Sequence, residues 1–590
     1  MTDRWSRCAG CANEVSRVAR GRGLHFLFAA LFSAAVPASG VAQDIAAEAA
    51  SSSSREIIEL PKFEVTDSRV LPPPEKWLYA EIPGFEILSN MSRRGTERFV
   101  KDFLLLQEAM NVIMPGLRAG PVAVPTSLIL TGRGDAFSAF DPANRDDRSR
   151  NTIYLRDNER GAIVVDFQLA ELQLADNTTI ESDPYRSFYG EFFRFIIRRN
   201  SSTKPPAWFE EGLVQLFASI DFQKKWVTFA MIGDGFGGEK TGDFNRLLNN
   251  RGLLPMAELL ADPPRRTGTF WSAQAYAFVH MCLYGRNQKY QRSFLQFVSR
   301  LGREPLSEGL FRECFSMDYK KMALELRGYI GFTDHKYMQF VAKKGQALPD
   351  PPPFELREAP DAVVGRIKGE ALRLAGQRSA AHNALIAPYV RGERDPRLLA
   401  ALGLNEKLAG NDDRARKFLE AASNAKVDRA RAYLELARLR LETARAKPNG
   451  TEGRLDEMQV ASILTPLFTA RKTPPPMADV YAMIAETWSL SEGAPQSEHF
   501  EVVLEGVRIF PRDTALVLAA TLLAAKRGFP QRAGELARLG AKVASEPGEK
   551  SRFQMLADAY EPAEPATQVS EPAAAAAPPQ TTTPYLLKQP

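Results

Sequence analysis

The sequence predicts an α+β amino-terminal domain followed by an all-helical carboxy-terminal array, and three observations carry that expectation. Segments Trp77–Ser89, Val122–Leu130 and Thr152–Phe167 are rich in apolar residues and largely alternate them with polar ones, as strands with one face in a core do. After Pro184 the apolar residues recur at helical spacing instead. The run Pro349-Asp350-Pro351-Pro352-Pro353 then interrupts the pattern, and beyond it the sequence becomes a series of short Ala-, Leu- and Arg-rich helices.

A chain of 590 residues, 44% hydrophobic and 25% charged, has room for two to four folded domains. Residues 1–43 read as an export signal: Arg17, Arg20 and Arg22 precede the apolar run Leu24–Val36, and small residues at Ala38, Gly40 and Ala42 suit cleavage. The alternative is an uncleaved anchor, but the apolar run is shorter than the roughly 20 residues of a spanning helix; no other stretch is long and apolar enough to cross a membrane, so no stable insertion is expected after cleavage. The mature chain is therefore expected to be exported, periplasmic or extracellular. The net charge of +5 includes three charges from the signal, which holds five arginines against Asp3 and Glu14. The remaining balance is too weak for a nucleic-acid surface. Cys8 and Cys11 fall in the signal, while Cys282 and Cys314 are compatible with one disulfide or two buried thiols.

In order, residues 44–74 form an extended or disordered segment, 75–345 the α+β domain, 346–360 the Pro-rich linker, 361–560 the helical array and 561–590 a disordered Ala/Pro/Thr-rich tail. Within the first domain, Glu97–Met110 carries Phe99, Phe103, Leu104 and Leu106 at helical spacing. Further helices are expected over Tyr185–Arg199, Ala207–Ile220 and Thr269–Leu301.

The first two of these helices frame Gly190-Glu191-Phe192-Phe193-Arg194 and, after a basic loop, Pro206-Ala-Trp-Phe-Glu-Glu-Gly-Leu. Sixteen residues separate Arg194 from Glu211, and Gln274-Ala-Tyr-Ala-Phe-Val-His280 follows on a later helix. This layout resembles the gluzincin metallopeptidases, in which an H-E-x-x-H helix supplies two zinc ligands and the general base, and a W-F-x-E-G helix supplies a third ligand. The resemblance implies a zincin-like fold, with Glu191 at the general-base position and Gly190, Arg194 and Glu211 at the ligand positions. Beyond the linker, Leu402, Gly403, Gly410, Ala415, Leu419 and Ala422 fall on the positions of a tetratricopeptide repeat. Leu436 and Ala437 recur at its 34-residue shift, so the array resembles a tetratricopeptide-like solenoid.

The metal chemistry fails at two of three ligands. Zinc needs neutral imidazoles at about 2.0–2.1 Å; glycine offers no ligand atom, and arginine is a permanent cation. Neither zinc nor another cofactor is therefore expected. Glu191 has no metal-bound water to activate, and Glu211 is expected to pair with Arg194 where a metal would sit. The candidate cleft residues are Glu191, Arg194, Trp208, Glu211, Gln274 and His280, the last more often a hydrogen-bonded core histidine than a ligand on so apolar a helix. Gly233-Asp-Gly-Phe-Gly-Gly238 reads as a turn and not a dinucleotide site, because no second strand of a βαβ unit follows. Adjacent Glu210 and Glu211 diverge by about 100° on a helix, which excludes a glycosidase pair. The functional expectation is a catalytically inactive, peptidase-like scaffold or adaptor for an unidentified protein or peptide. The alternative is a working hydrolase with a non-standard site built on Glu191, Glu211 and His280.

Overall fold

A computed structural model of the chain describes residues 59–62, 73–113, 125–132, 136–142, 151–168, 185–200, 205–222, 226–230, 248, 251–265, 268–301, 304–331, 338–341, 350–544 and 546–560. The expected signal, the turn 233–238 and the tail 561–590 lie outside these residues.

In chain order the first strands and helices are β1 (Leu78–Ile82), β2 (Phe85–Ser89), α1 (Arg93–Ile113), β3 (Thr126–Thr131), β4 (Thr152–Arg156), β5 (Gly161–Asp166), α2 (Arg186–Asn200) and α3 (Ala207–Ala218). They are followed by β6 (Asp221–Phe222), β7 (Trp226–Phe229), α4 (Thr269–Tyr284), α5 (Gln291–Leu301), α6 (Glu308–Phe315), α7 (Tyr319–Ile330), β8 (Met338–Val341) and β9 (Arg357–Glu358). The principal sheet has the order β4-β5-β3-β2-β1-β9. Strands β2, β3 and β5 run parallel, while β1, β4 and β9 pair antiparallel with their neighbours. The sheet is thus mixed, and the fold is α+β with a carboxy-terminal helical array.

Side-chain alternation along the strands serves two cores. Ile87, Leu128, Leu130, Ile163 and Val165 point to one face, against Phe99 and Phe103 of α1 and Phe188 and Phe192 of α2. Their rings meet at centroid distances of 4.9–5.8 Å, in pairs each worth about 0.5–1.5 kcal/mol beyond burial. Leu88, Ile129, Ala162 and Val164 point to the other face, against Val364, Ile367 and Ala371 of α8 (Asp361–Leu374). The one-sided alternation expected of these strands therefore gives way to a sheet with both faces covered, which suits the apolar runs Leu128–Leu130 and Ile163–Val165 of its central strands.

Helix α8 opens the array and is followed by α9 (Arg378–Val390), α10 (Pro396–Leu408), α11 (Asp412–Asn424), α12 (Ala430–Ala446), α13 (Glu457–Lys472), α14 (Ala478–Leu490), α15 (Ser497–Ile509), α16 (Thr514–Lys526), α17 (Pro530–Val543) and α18 (Pro547–Ala559). Helices α8 and α9 pack as one pair and α10 and α11 as the next. In the first pair a Cβ on Gly369 would stand 2.5 Å from Leu385, and in the second a Cβ on Gly403 would stand 2.7 Å from Leu419. Both members of the contact recur after 34 residues, as do the turn glycines Gly376 and Gly410, at φ +81° and +79°. The two pairs therefore approach by one geometry.

The chain divides into two compact units, residues 1–447 with 461–480, and residues 448–460 with 481–590. Segment 346–360 carries β9 as well as its prolines, and α8, immediately after it, belongs to the core of the sheet. The compact units consequently part near Pro448 and not at that segment. In the second unit α16, α17 and α18 pack in succession. The expected helix Thr269–Leu301 is two helices, broken at Gly285–Lys289, where Arg286, Asn287 and Gln288 take positive φ. A small sheet, β6-β7-β8, lies within the mostly helical region that follows Pro184. Cys282 and Cys314 are buried free thiols. Among the described residues no helix is long and apolar enough to cross a membrane.

Candidate functional site

Helices α2 and α3 pack antiparallel, and two glycines set how closely. A Cβ on Gly190 of α2 would stand 2.9 Å from the Val214 carbonyl oxygen and 3.0 Å from Ala218 Cβ, both on α3. On the other side of α3, a Cβ on Gly212 would stand 2.4 Å from Val279 Cγ2 of α4. Helix α3 is therefore wedged between two neighbours with no room for added atoms, and most of its residues are buried. Gly190 is a packing residue facing α3.

One turn on from Gly190, Arg194 faces three carboxylates. Its Nη2 donates to Glu211 Oε2 at 2.6 Å, its Nη1 to Glu210 Oε1 at 2.7 Å, and its Nε to Glu191 Oε2 at 3.1 Å. Each guanidinium nitrogen thus serves a different acid, and the planar fork makes this possible. Arg198, a further turn along, adds bonds to Glu210 at 2.7–3.1 Å. The other Glu211 oxygen accepts from Gln215 Nε2 at 2.8 Å. Arg194 is 8% exposed by side chain, Glu210 3% and Glu211 10%, so the centre of the cluster is sheltered, while Glu191, at 17%, and Arg198, at 52%, lie toward the solvent.

Burial alone would raise the Glu211 pKa, yet the Arg194 guanidinium and hydrogen bonds from Gln215 and Ser272 hold it below its ordinary value. Burial would likewise lower the Arg194 pKa, and the facing carboxylates reverse this and raise it. The chemical result is an ion-pair cluster, two guanidinium groups among three carboxylates, that locks α2 to α3.

The remaining candidate residues lie in the core. Trp208 is fully buried, and its ring packs 5.5–6.2 Å from those of Phe278, Phe294 and Phe297. Gln274 clamps the backbone of Leu254, accepting from its N–H at 2.8 Å and donating to its carbonyl at 2.9 Å. His280 Nε2 stands 2.8 Å from the Ala230 carbonyl, which can only accept, so Nε2 carries the proton. In the neutral ring Nδ1 then accepts from the Tyr329 hydroxyl at 2.7 Å. Both ring nitrogens are engaged, so the imidazole is not presented to Glu191 and Glu211 as the alternative hydrolase site requires. Among the described residues no group of three or more His, Cys, Asp or Glu side chains could hold a metal ion.

Glu210 and Arg198 were missed as members of the cluster. The sequence signal for Arg198 was its i,i+4 spacing from Arg194, which places both on one helix face. Glu210 was readable as the helix neighbour that Arg194 can reach together with Glu211. No protein-family profile matches the chain, and no curated protein is significantly similar to it.

Proposed function

We propose that this chain is a peptidase-shaped binding protein of gluzincin type, without catalysis, that holds an extended peptide and acts in the cell envelope as a scaffold or adaptor. The observation that carries this reading is Arg194, whose guanidinium hydrogen-bonds Glu191, Glu210 and Glu211 at once. These include the carboxylates that the resemblance assigns to the general base and to a zinc ligand. A fixed cation among them opposes a divalent metal, and the close α2–α3 approach at Gly190 favours closure over a ligand cavity.

Binding is supported by the edge of the sheet. Among the described residues β4 pairs only with β5, and Tyr154 of β4 stacks on Phe195 of α2 with centroids 5.5 Å apart. A strand edge beside the charged helix suits main-chain pairing with an extended peptide. The 34-residue recurrence of Gly369 with Leu385 in Gly403 with Leu419 supports a tetratricopeptide-like reading of the array. Because α8 spends its apolar face on the sheet, the partner surface of the array falls to helices beyond it.

The test uses the full chain without the signal against a library of extended peptides, read by fluorescence polarisation and by cleavage products. The reading expects binding without cleavage, weakened at least tenfold by Tyr154→Asp on the edge strand. Peptide cleavage abolished by Glu191→Gln would replace it with the hydrolase reading. Binding that Tyr154→Asp leaves unchanged would remove the sheet edge from it.

A further inference from the structure

A second ionic cluster lies at the sheet face that α8 covers, where β2, the β4–β5 turn, α8, α10 and the start of α12 converge. Arg366 grips Glu86 through bonds of 2.6 and 3.0 Å. Arg429 grips Glu159 through bonds of 2.7 and 3.2 Å and reaches Glu370 at 2.5 Å. These two arginines take up the three carboxylates.

Two further arginines stand beside the same acids. Arg160, only 7% exposed, has its closest carboxylate oxygens at 3.6 Å on Glu370 and 3.9 Å on Glu86 and Glu159. Those separations are beyond hydrogen-bond reach, and its Nε is sealed from solvent with no acceptor among the described residues. Arg397 approaches Glu86 at 3.5 Å with a side chain 44% exposed. The neighbouring Asp157 is matched by Arg373 at 2.9 Å and offers no spare charge. The Tyr79 hydroxyl stands 3.2 Å from Glu86 and 3.5 Å from Glu81, the cross-strand neighbour of Glu86, and adds no charge. Among the described residues four arginines therefore stand within 4 Å of three carboxylates, and Arg160 and Arg397 make no hydrogen bond to them. Burial, the largest influence, pushes the Arg160 pKa below its ordinary value, and Arg429 and Arg366 add to this against the pull of Glu370.

We propose that Arg160 and Arg397 form a binding site for an oxyanion, a phosphate or carboxylate group that enters from the exposed Arg397 side and supplies the acceptor Arg160 lacks. An oxyanion matches the charge deficit and the donor geometry of a guanidinium together, whereas an unpaired buried guanidinium is costly. The site lies on the sheet face opposite α2 and is independent of the Arg194 cluster.

Isothermal titration of the full chain with sodium phosphate, and separately with sodium acetate, at constant ionic strength held by sodium chloride, tests the proposal. The two arms distinguish a phosphate group from a carboxylate as the preferred source. At least one is expected to bind with one-to-one stoichiometry, to raise the melting temperature in a saturable way, and to lose at least tenfold in affinity in Arg397→Gln. Arg160→Gln should abolish binding; because Arg397 is exposed, its variant decides the matter if the Arg160 variant does not fold. No binding by the wild-type chain means that water alone meets Arg160 and overturns the proposal. So does a melting shift that chloride reproduces, or unaltered affinity in Arg397→Gln.

Discussion

Replacing Arg194 by methionine removes the cation while roughly keeping the length of the apolar stem. Glu210 would retain Arg198 at 2.7 Å, but Glu211 would keep only neutral donors, Gln215 and Ser272, at 10% side-chain exposure. Breaking a buried ion pair by removing one partner costs about 3–5 kcal/mol, and the loss falls mainly on Glu211. Arg194→Lys restores the charge without the fork and should recover roughly half of that loss. Arg194→Met with Glu211→Gln, which removes the stranded charge, should recover about 1–3 kcal/mol. Urea unfolding of the amino-terminal unit, followed by tryptophan fluorescence, reads these differences as midpoint shifts. The pH dependence supplies a sign. In the wild type the Glu211 pKa is depressed, so its contribution is present above the unfolded carboxyl value and is lost as pH falls through the folded one. In Arg194→Met burial acts on Glu211 without that guanidinium and its pKa rises, so acidification should narrow the gap between variant and wild type. A loss below about 1 kcal/mol, the level of an exposed pair, or a gap that widens on acidification, would refute the reasoning.

Gly190→Ala should destabilise the chain by about 1–3 kcal/mol, because its Cβ meets Val214 and Ala218 of α3; thermal unfolding reads the loss. For the same reason Gly190→His with Arg194→His should not create a zinc site, as zinc titration will show. His280→Phe leaves the Ala230 carbonyl and the Tyr329 hydroxyl without the imidazole, a loss of about 1–3 kcal/mol by chemical denaturation. The Glu370 carboxyl, which burial would raise, is held at about 2 by Arg160, Arg429 and Arg366. Its contribution should persist above the unfolded carboxyl value and fade as pH falls toward about 2, with loss of hydrogen-exchange protection in α8 and α12 as the readout.

The Arg194–Glu211 pairing was legible because both residues lie on helices with clear periodicity, and a fixed cation beside a carboxylate leaves few alternatives. The closeness of α2 and α3 was not legible: Gly190 reads as a lost ligand in sequence, and only the Val214 and Ala218 contacts reveal it as a packing residue. Trp208 and Gln274 shared a motif with Glu211, yet the helical turn directs Trp208 into the aromatic core, and Gln274 is committed to the Leu254 backbone. Strand periodicity located β2, β3 and the β4–β5 hairpin. It could not place β9, a two-residue strand that starts four positions after Pro353 and whose pairing depends on β1 some 280 positions earlier in the chain. The Arg160–Arg429 cluster was invisible for the same reason, since Arg429 and Glu159 are 270 residues apart and no local period links them.

Zinc titration of the purified full chain at neutral pH, with metal content measured after dialysis, bears most directly on the claim that Arg194 fills a metal's place. With the guanidinium bound to three carboxylates, the expected result is no stoichiometric zinc in the wild type and none gained in Glu211→Ala. One zinc per chain, lost in Glu211→Ala, would contradict it.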